Sequence, residues 1–144
     1  MKILHLISIA SVSILLFASC NFESFEKRCA REAEEYTTRH CPRRMNKYTV
    51  MDSLTFNPET KTFGYYYTLE GDLDNDSIIT NEIADSFREQ LKKELINSVE
   101  LKAYKEKELN FAYIYLSQST GKVRFKTVFT PQDYNTGNRV GGKH

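Results

Sequence analysis

Residues 109–117 have the sequence LNFAYIYLS, and this stretch decides what kind of fold the rest of the chain can build. Its aromatic and branched residues predict a strand. Successive side chains of a strand point to opposite faces. Both faces are apolar here, with Phe111, Tyr113 and Tyr115 on one and Ala112, Ile114 and Leu116 on the other. Two apolar faces predict a strand in the interior of a sheet.

The segment after this strand predicts its hairpin partner. Ser119-Thr120-Gly121 is a turn sequence, and residues 122–130 (KVRFKTVFT) alternate in character before Pro131. One face of the partner is therefore expected to be buried and the other solvated. The buried face holds Val123, Phe125, Thr127 and Phe129, and the solvated face holds Arg124, Lys126 and Val128.

A second hairpin is predicted earlier in the chain. Residues 48–56 (YTVMDSLTF) and 62–69 (TFGYYYTL) have strand composition, and residues 57–61 (NPETK) supply the turn. In the second of these strands, one face is the better core candidate because it is apolar throughout. That face carries Phe63, Tyr65, Tyr67 and Leu69, and the other carries Gly64, Tyr66 and Thr68.

Two amphipathic helices are predicted, over residues 25–40 and 80–98. Each has a row of side chains at three- and four-residue spacing. The rows are Phe25, Cys29, Ala33, Tyr36 and His40 in the first helix, and Ile83, Phe87, Leu91 and Leu95 in the second. Pro42 ends the first helix, and Thr80 caps the second. Residues 101–108 (LKAYKEKE) favour no single conformation.

The element order is therefore helix, hairpin, helix, hairpin. It predicts one α+β domain over residues 25–131 with α-β-β-α-β-β topology. We expect a four-stranded, mainly antiparallel sheet with both helices packed on one face. Whether the hairpins lie side by side or interleave stays open. Residues 132–144 are polar and contain glycines, which predicts a flexible tail.

An acidic loop, residues 71–77 (GDLDNDS), precedes the second helix. Its aspartates, Asp72, Asp74 and Asp76, match the first three ligand positions of an EF-hand calcium loop. Ser77 stands where that loop needs glycine, and Ile83 stands where it needs a bidentate glutamate. The mismatches predict a solvated, helix-capping loop. No metal or cofactor is expected, and the three aspartates are only weak candidates for metal ligands.

The first residues have the pattern of an export signal. Lys2 is followed by an apolar run of about fifteen residues, which spans only ~22 Å as a helix. The hydrocarbon core of a bilayer is ~30 Å thick, so the length favours a secretory signal over a membrane span. The run ends in Ala18-Ser19-Cys20, which resembles the lipobox of bacterial lipoproteins.

The lipobox resemblance implies both processing and location. Residues 1–19 would be a removed signal peptide, and Cys20 would carry a diacylglycerol thioether and an N-acyl chain. Several acyl chains together anchor a protein stably. Residues 20–24 would be a short lipidated tether that holds the domain close to its membrane. Asn21 stands where an inner-membrane retention aspartate would be, so the resemblance implies the outer membrane.

The rest of the chain resembles the small exported α+β lipoproteins of Gram-negative bacteria, whose function is unknown. The resemblance lies in Cys41-Pro42, Met51–Leu54, Tyr65–Tyr67 and Tyr113–Tyr115. It implies an envelope protein with one small domain.

A disulfide between Cys29 and Cys41 stays open at this point. Exported proteins meet an oxidising environment that permits disulfides. One continuous helix would place the two residues ~18 Å apart along its axis, whereas a disulfide needs Cα atoms within ~7 Å. The bridge therefore requires the helix to break before Cys41.

Composition and motifs narrow the function classes. The formal net charge is +1 at pH 7, so no basic excess exists to neutralise nucleic acid. The chain has no nucleophile elbow, no phosphate-binding glycine loop and no zinc spacing. We therefore expect a protein that is not an enzyme.

The tyrosines of the strands favour a membrane-anchored binding or accessory module. The sheet face without helices should carry Tyr66 and one of the two rows of the 109–117 strand. Exposed aromatic residues are enriched at protein interfaces. The alternative is that these tyrosines are core residues whose hydroxyls reach solvent. The candidate partner-binding residues are Tyr66, Tyr113 and Tyr115, and the expected partner is an envelope protein. An inhibitor or immunity-type protein and a structural lipoprotein are the alternatives.

Overall fold

The computed structural model describes residues 22–135. In this range the chain forms four α-helices and five strands. Their bounds are α1 Phe25–His40, β1 Arg43–Asn46, β2 Thr49–Asn57, β3 Thr62–Leu69, α2 Asn81–Asn97, α3 Lys102–Glu106, β4 Asn110–Ser117, β5 Val123–Phe129 and α4 Pro131–Tyr134. The predicted signal peptide, the predicted lipid attachment at Cys20 and most of the predicted tail lie outside the described residues.

Side-chain caps define where the two long helices begin. The Ser24 hydroxyl accepts a hydrogen bond from the Lys27 backbone N–H at 3.2 Å, immediately before α1. The Thr80 hydroxyl accepts one from the Ile83 N–H at 3.3 Å, as predicted for α2. Such caps satisfy N–H groups that have no partner inside the helix.

Strands β1 to β5 form one sheet in chain order within residues 22–135. All neighbouring pairs are antiparallel except β3 and β4, which are parallel. A parallel pair needs a crossover connection, and α2 and α3 supply it. The α+β class is confirmed, and the two predicted hairpins lie side by side. The prediction of four strands was wrong, because the sheet has five.

The additional strand is β1, with the sequence RRMN. All four of its residues are exposed, so it has no alternation of apolar and polar side chains to mark it. It is a strand because its backbone pairs with β2, with Arg43 opposite Met51 and Arg44 opposite Val50. Short, charged strands at a sheet edge resist pairing with other chains.

One face of the sheet carries the core, and both long helices pack on it as predicted. The buried cluster includes Cys29 and Ala33 from α1 and Leu91 and Leu95 from α2. The strands and the connecting segments contribute Phe63, Leu69, Leu109, Phe111, Tyr113, Tyr115, Phe129 and Tyr134. The Phe63 to Leu69 face of β3 is therefore the core face, as the alternation predicts.

The end of the domain extends further than residue 131. Helix α4 includes the first residues of the segment for which the sequence predicts a flexible tail. Tyr134 is buried, and its hydroxyl donates a hydrogen bond to the Leu109 carbonyl at 2.7 Å. Between residues 22 and 135, the helices are too short or too polar to cross a membrane.

Candidate functional site: an apolar groove beside α2

A groove of about 560 Å³ opens on the helix-covered side of the sheet, between α2 and the β1–β2 hairpin. Its floor is formed by Tyr67, Leu69, Tyr113 and Tyr115. Helix α2 forms one wall with Ile83, Phe87, Gln90 and Glu94. The hairpin contributes Met45 and Asn46, and the segment before α2 contributes Leu73, Ile78 and Ile79.

The floor consists of stacked aromatic rings. Because β3 and β4 are parallel and in register, Tyr65 lies beside Tyr113 and Tyr67 lies beside Tyr115. Their ring planes are 10° and 12° from parallel, with centroids 5.0 and 4.7 Å apart. Side chains in register on parallel strands project the same way along the strand, so the rings lie side by side. The result is a flat aromatic platform under the groove.

The tyrosines of the floor sit in an environment that resists ionisation. Burial is the main cause, and it raises the pKa of Tyr67 to about 12. Burial also raises the pKa of Tyr113 and of Tyr115, with neighbouring tyrosines and Glu94 adding to the effect. The hydroxyls therefore stay protonated at neutral pH and can donate hydrogen bonds to a ligand.

The mouth of the groove exposes large apolar side chains. Ile83 on α2 is 49% exposed and Met45 on β1 is 48% exposed. Phe87 lies one turn after Ile83 and packs edge-on against Tyr115, with centroids 5.1 Å apart. Exposed apolar side chains that continue into an apolar groove mark a binding surface.

The predicted acidic loop lies at one end of the groove, and its carboxylates bind protein groups. Asp74 is 3.3 Å from the Arg124 guanidinium and accepts a hydrogen bond from the Ser119 N–H at 2.7 Å. Asp76 also pairs with Arg124. The Ser117 hydroxyl and the Ser119 N–H lower the pKa of Asp74 to about 2.

The loop lies between β3 and α2 in the chain, and Asp74 holds it against the β4–β5 turn through Ser119. Asp72 is bound differently, because it accepts from the Tyr48 hydroxyl at 3.4 Å. Among residues 22–135, no cluster of three or more His, Cys, Asp or Glu side chains could hold a metal ion.

The three predicted partner-binding tyrosines do not lie together. Tyr66 lies on the face opposite the core, where its strand partners are Ser53 and Ile114. Tyr113 and Tyr115 lie on the helix-covered face and are buried in the floor of the groove. The row that accompanies Tyr66 on the open face is Ala112, Ile114 and Leu116.

Sequence reasoning missed most of the groove. Ile83 and Phe87 belong to the predicted apolar row of α2, and periodicity marks such a row as core-facing without showing which of its members stay exposed. No sequence pattern marks Met45, because its strand is recognisable only from its backbone pairing with β2.

The two cysteines do not form a disulfide. Helix α1 is continuous, and Cys29 and Cys41 are free thiols, the first buried and the second half-buried.

The fold is similar to those of two bacterial proteins of known structure. The crystal structure of a "putative secreted protein" (PA3611) from Pseudomonas aeruginosa superposes with a TM-score of 0.64 and 15% identity, covering 75% of this chain and 90% of that chain. The pilotin EpsS from the Vibrio vulnificus type 2 secretion system has a TM-score of 0.54 and 7% identity, covering 75% of this chain and 89% of that chain. At these identities the likeness shows a shared fold.

The family of the chain follows from its sequence. No curated protein matches this sequence. A family described as a domain of unknown function (DUF8479) matches residues 24–125, which include α1, the whole of β1 to β4 and the start of β5. That match covers more than half of the chain, and the chain belongs to this family.

Proposed function

We propose that this protein is a lipid-anchored accessory protein of the bacterial envelope, and that its groove binds an apolar segment of a partner protein. The observation that carries the proposal is the open groove beside α2. Its floor is a platform of stacked tyrosines and its mouth exposes Ile83 and Met45. The proposed role is binding, without catalysis.

The shape of the groove favours an amphipathic segment as the occupant. Recognition of this kind places the apolar face of a helix in a groove and leaves its polar face in water. Rigid aromatic side chains lose little conformational entropy on binding and anchor many protein interfaces. The tyrosine hydroxyls of the floor add hydrogen-bond donors without adding charge.

The partner class we propose is an envelope protein. A pilotin of a type 2 secretion system shares the fold, and this supports a role beside another protein of the envelope. The lipobox resemblance at Cys20 supports the same location. We therefore propose that acyl chains on Cys20 hold the domain at the outer membrane.

The anchor has its own test. The chain with Cys20→Ser should lose incorporation of labelled palmitate and move from the membrane fraction to the soluble fraction. Wild-type protein that incorporates no palmitate would remove the lipid anchor from the proposal.

Photo-crosslinking in the native cells tests the groove. A photoreactive residue at Met45 should form an adduct with one envelope protein. The same residue at Val123 should not, because Val123 is 56% exposed on the open face, away from the groove. Specific adducts from Val123 and none from Met45 would move the binding surface to the open face that carries Tyr66.

Helix α2 supplies a matched pair of variants for the same assay. Ile83 is 49% exposed at the groove, and Ile96 is 38% exposed on another side of the helix. Ile83→Glu should abolish the Met45 adduct because a carboxylate cannot be buried against an apolar partner at low cost. Ile96→Glu should leave it unchanged. Equal adduct yields from the two variants would contradict the proposal.

A further inference from the structure

The hairpin wall of the groove is cationic. Residues 39–47 (RHCPRRMNK) run from the end of α1 through β1 to the turn of the hairpin, and they contain three arginines, one lysine and one histidine, and no acidic residue. Met45 and Asn46 of this segment line the groove. Arg43 is paired with Met51 across β1 and β2, and the Met51 sulfur contacts the Tyr36 hydroxyl of α1. Since paired residues share a face, Arg43 lies on the same side of the sheet as the groove.

Most of this positive charge has no acidic partner in the described part of the chain. Arg44 forms an ion pair with Glu70 at 2.9 Å. Within residues 22–135, Arg39, Arg43 and Lys47 form no ion pair, and all three are exposed. The Lys47 ammonium lies 4.9 Å from the centre of the Tyr48 ring.

Of three acidic groups near the groove, two lie on α2 and the third lies at the tip of the hairpin. Glu94 is on the α2 wall and accepts a hydrogen bond from the Gln90 side chain at 3.0 Å. Glu82 is exposed in the first turn of α2. Asp72 lies at the hairpin tip, where it accepts from the Tyr48 hydroxyl. The groove-lining face of α2 therefore carries the carboxylate of Glu94, whereas the hairpin side carries Arg43 and Lys47, which form no ion pair among the described residues.

We infer that the occupant of the groove is an amphipathic segment with acidic side chains along one flank of its apolar stripe, and that these face Arg43 and Lys47 of the hairpin. The inference rests on the proposed function and specifies the partner's chemistry. Complementary charges at an interface speed the encounter and set the orientation of the partner. They are screened by salt because the charges on the wall are exposed.

Two model peptides test the inference directly. Both are helical, about 18 residues or five turns long, with the same leucine stripe. One carries glutamates along one flank and the other carries glutamines there. Full-length protein in phosphatidylcholine nanodiscs is titrated into labelled peptide, with empty nanodiscs as a blank, and anisotropy reports binding.

At low ionic strength the glutamate peptide should bind about tenfold more tightly than the glutamine peptide. This ratio corresponds to the summed binding energy of a few weak, exposed ion pairs. In about 0.5 M salt the difference should fall below about twofold, because the screening length is then only ~4 Å. Equal affinities at low salt would overturn the inference while leaving the groove as a binding site.

Two double variants that remove the same charge distinguish an effect of the hairpin residues from an effect of the protein's net charge. Arg43→Gln/Lys47→Gln should remove the preference for glutamate and leave the affinity of the glutamine peptide unchanged. Lys122→Gln/Lys126→Gln removes the same charge from β5 and the turn before it, and should keep the preference. Equal losses in the two double variants would overturn the inference.

Two further outcomes are informative. If Arg43→Gln/Lys47→Gln weakens binding to phosphatidylglycerol vesicles and changes neither peptide, the wall serves the membrane and the inference fails. If neither peptide binds in a way that Ile83→Glu abolishes, the proposed function itself fails.

Discussion

The two faces of the sheet bury their apolar residues by different means. On the core face, α1 and α2 cover the strands and leave the groove. On the open face, Ala112 and Ile114 are each only 6% exposed, yet neither belongs to the core cluster that the helices build. In register, Ile114 lies between Tyr66 and Lys126.

The neighbours explain this burial. An aromatic ring on one side and an aliphatic lysine stem on the other can cover an isoleucine without a second layer. Low exposure of a residue therefore does not show that its face is covered by another element. The core face should be sensitive to changes of volume and ionisation, and the open face should be tolerant.

The largest expected effect is on the core face. Phe111→Ala should destabilise the fold by about 3–5 kcal/mol, because the ring is fully buried and the cavity cannot collapse. Urea unfolding followed by circular dichroism measures this. A loss below about 1 kcal/mol would mean that the helix layer is loosely packed.

The next effect depends on pH and concerns the groove floor. Burial raises the pKa of Tyr67 to about 12, so the unfolded chain ionises first as the pH rises above about 10. The stabilising contribution of the protonated hydroxyl is complete below pH 10 and is lost as the pH rises to about 12. Tyr67→Phe should therefore gain about 2 kcal/mol relative to wild type by pH 12 and little at pH 7.

Urea unfolding at both pH values measures this gain. The matched control is Tyr66→Phe on the open face, and an equal gain in that variant would remove the distinction between the two faces.

A smaller effect is expected from truncation on the open face. Tyr66→Ala should cost about 1 kcal/mol, because the ring is only half-buried and leaves no enclosed cavity. It should also leave the Met45 adduct intact. Loss of that adduct in a folded variant would return Tyr66 to the partner-binding surface.

The smallest effect is expected at the solvated edge of the same face. Val128 is 38% exposed on β5, and Val128→Thr should change stability by less than about 0.5 kcal/mol. Thermal melting at neutral pH checks this. A large loss would indicate that another molecule or segment covers the open face.

Sequence periodicity predicted most of the elements. The bounds of α1 and β3 match the prediction, and β2, β4, β5 and α2 differ from it by one residue at one or both ends. The alternation in β3 identified its core face. The alternation in β5 failed at one end, because a bulge at Arg124 puts Val123 opposite Leu116 on the exposed face.

The site was less predictable than the fold. Both faces of β4 are apolar, so its composition could not say whether Tyr113 or Ile114 faces the helices. That choice depends on the register between β3 and β4, which are separated by two helices in the chain. Met45 contributes to the groove through a strand that has no periodicity, and so no local pattern could have marked it.

The sequence alone therefore determined the α+β class, the ends of the long helices and the apolar face of β3, because caps, turns and alternation act over a few residues. The tertiary structure decided the parallel β3–β4 pair, the edge strand β1 and the groove between α2 and the hairpin. These features depend on which distant segments pack together, and that is set by the burial of the whole core.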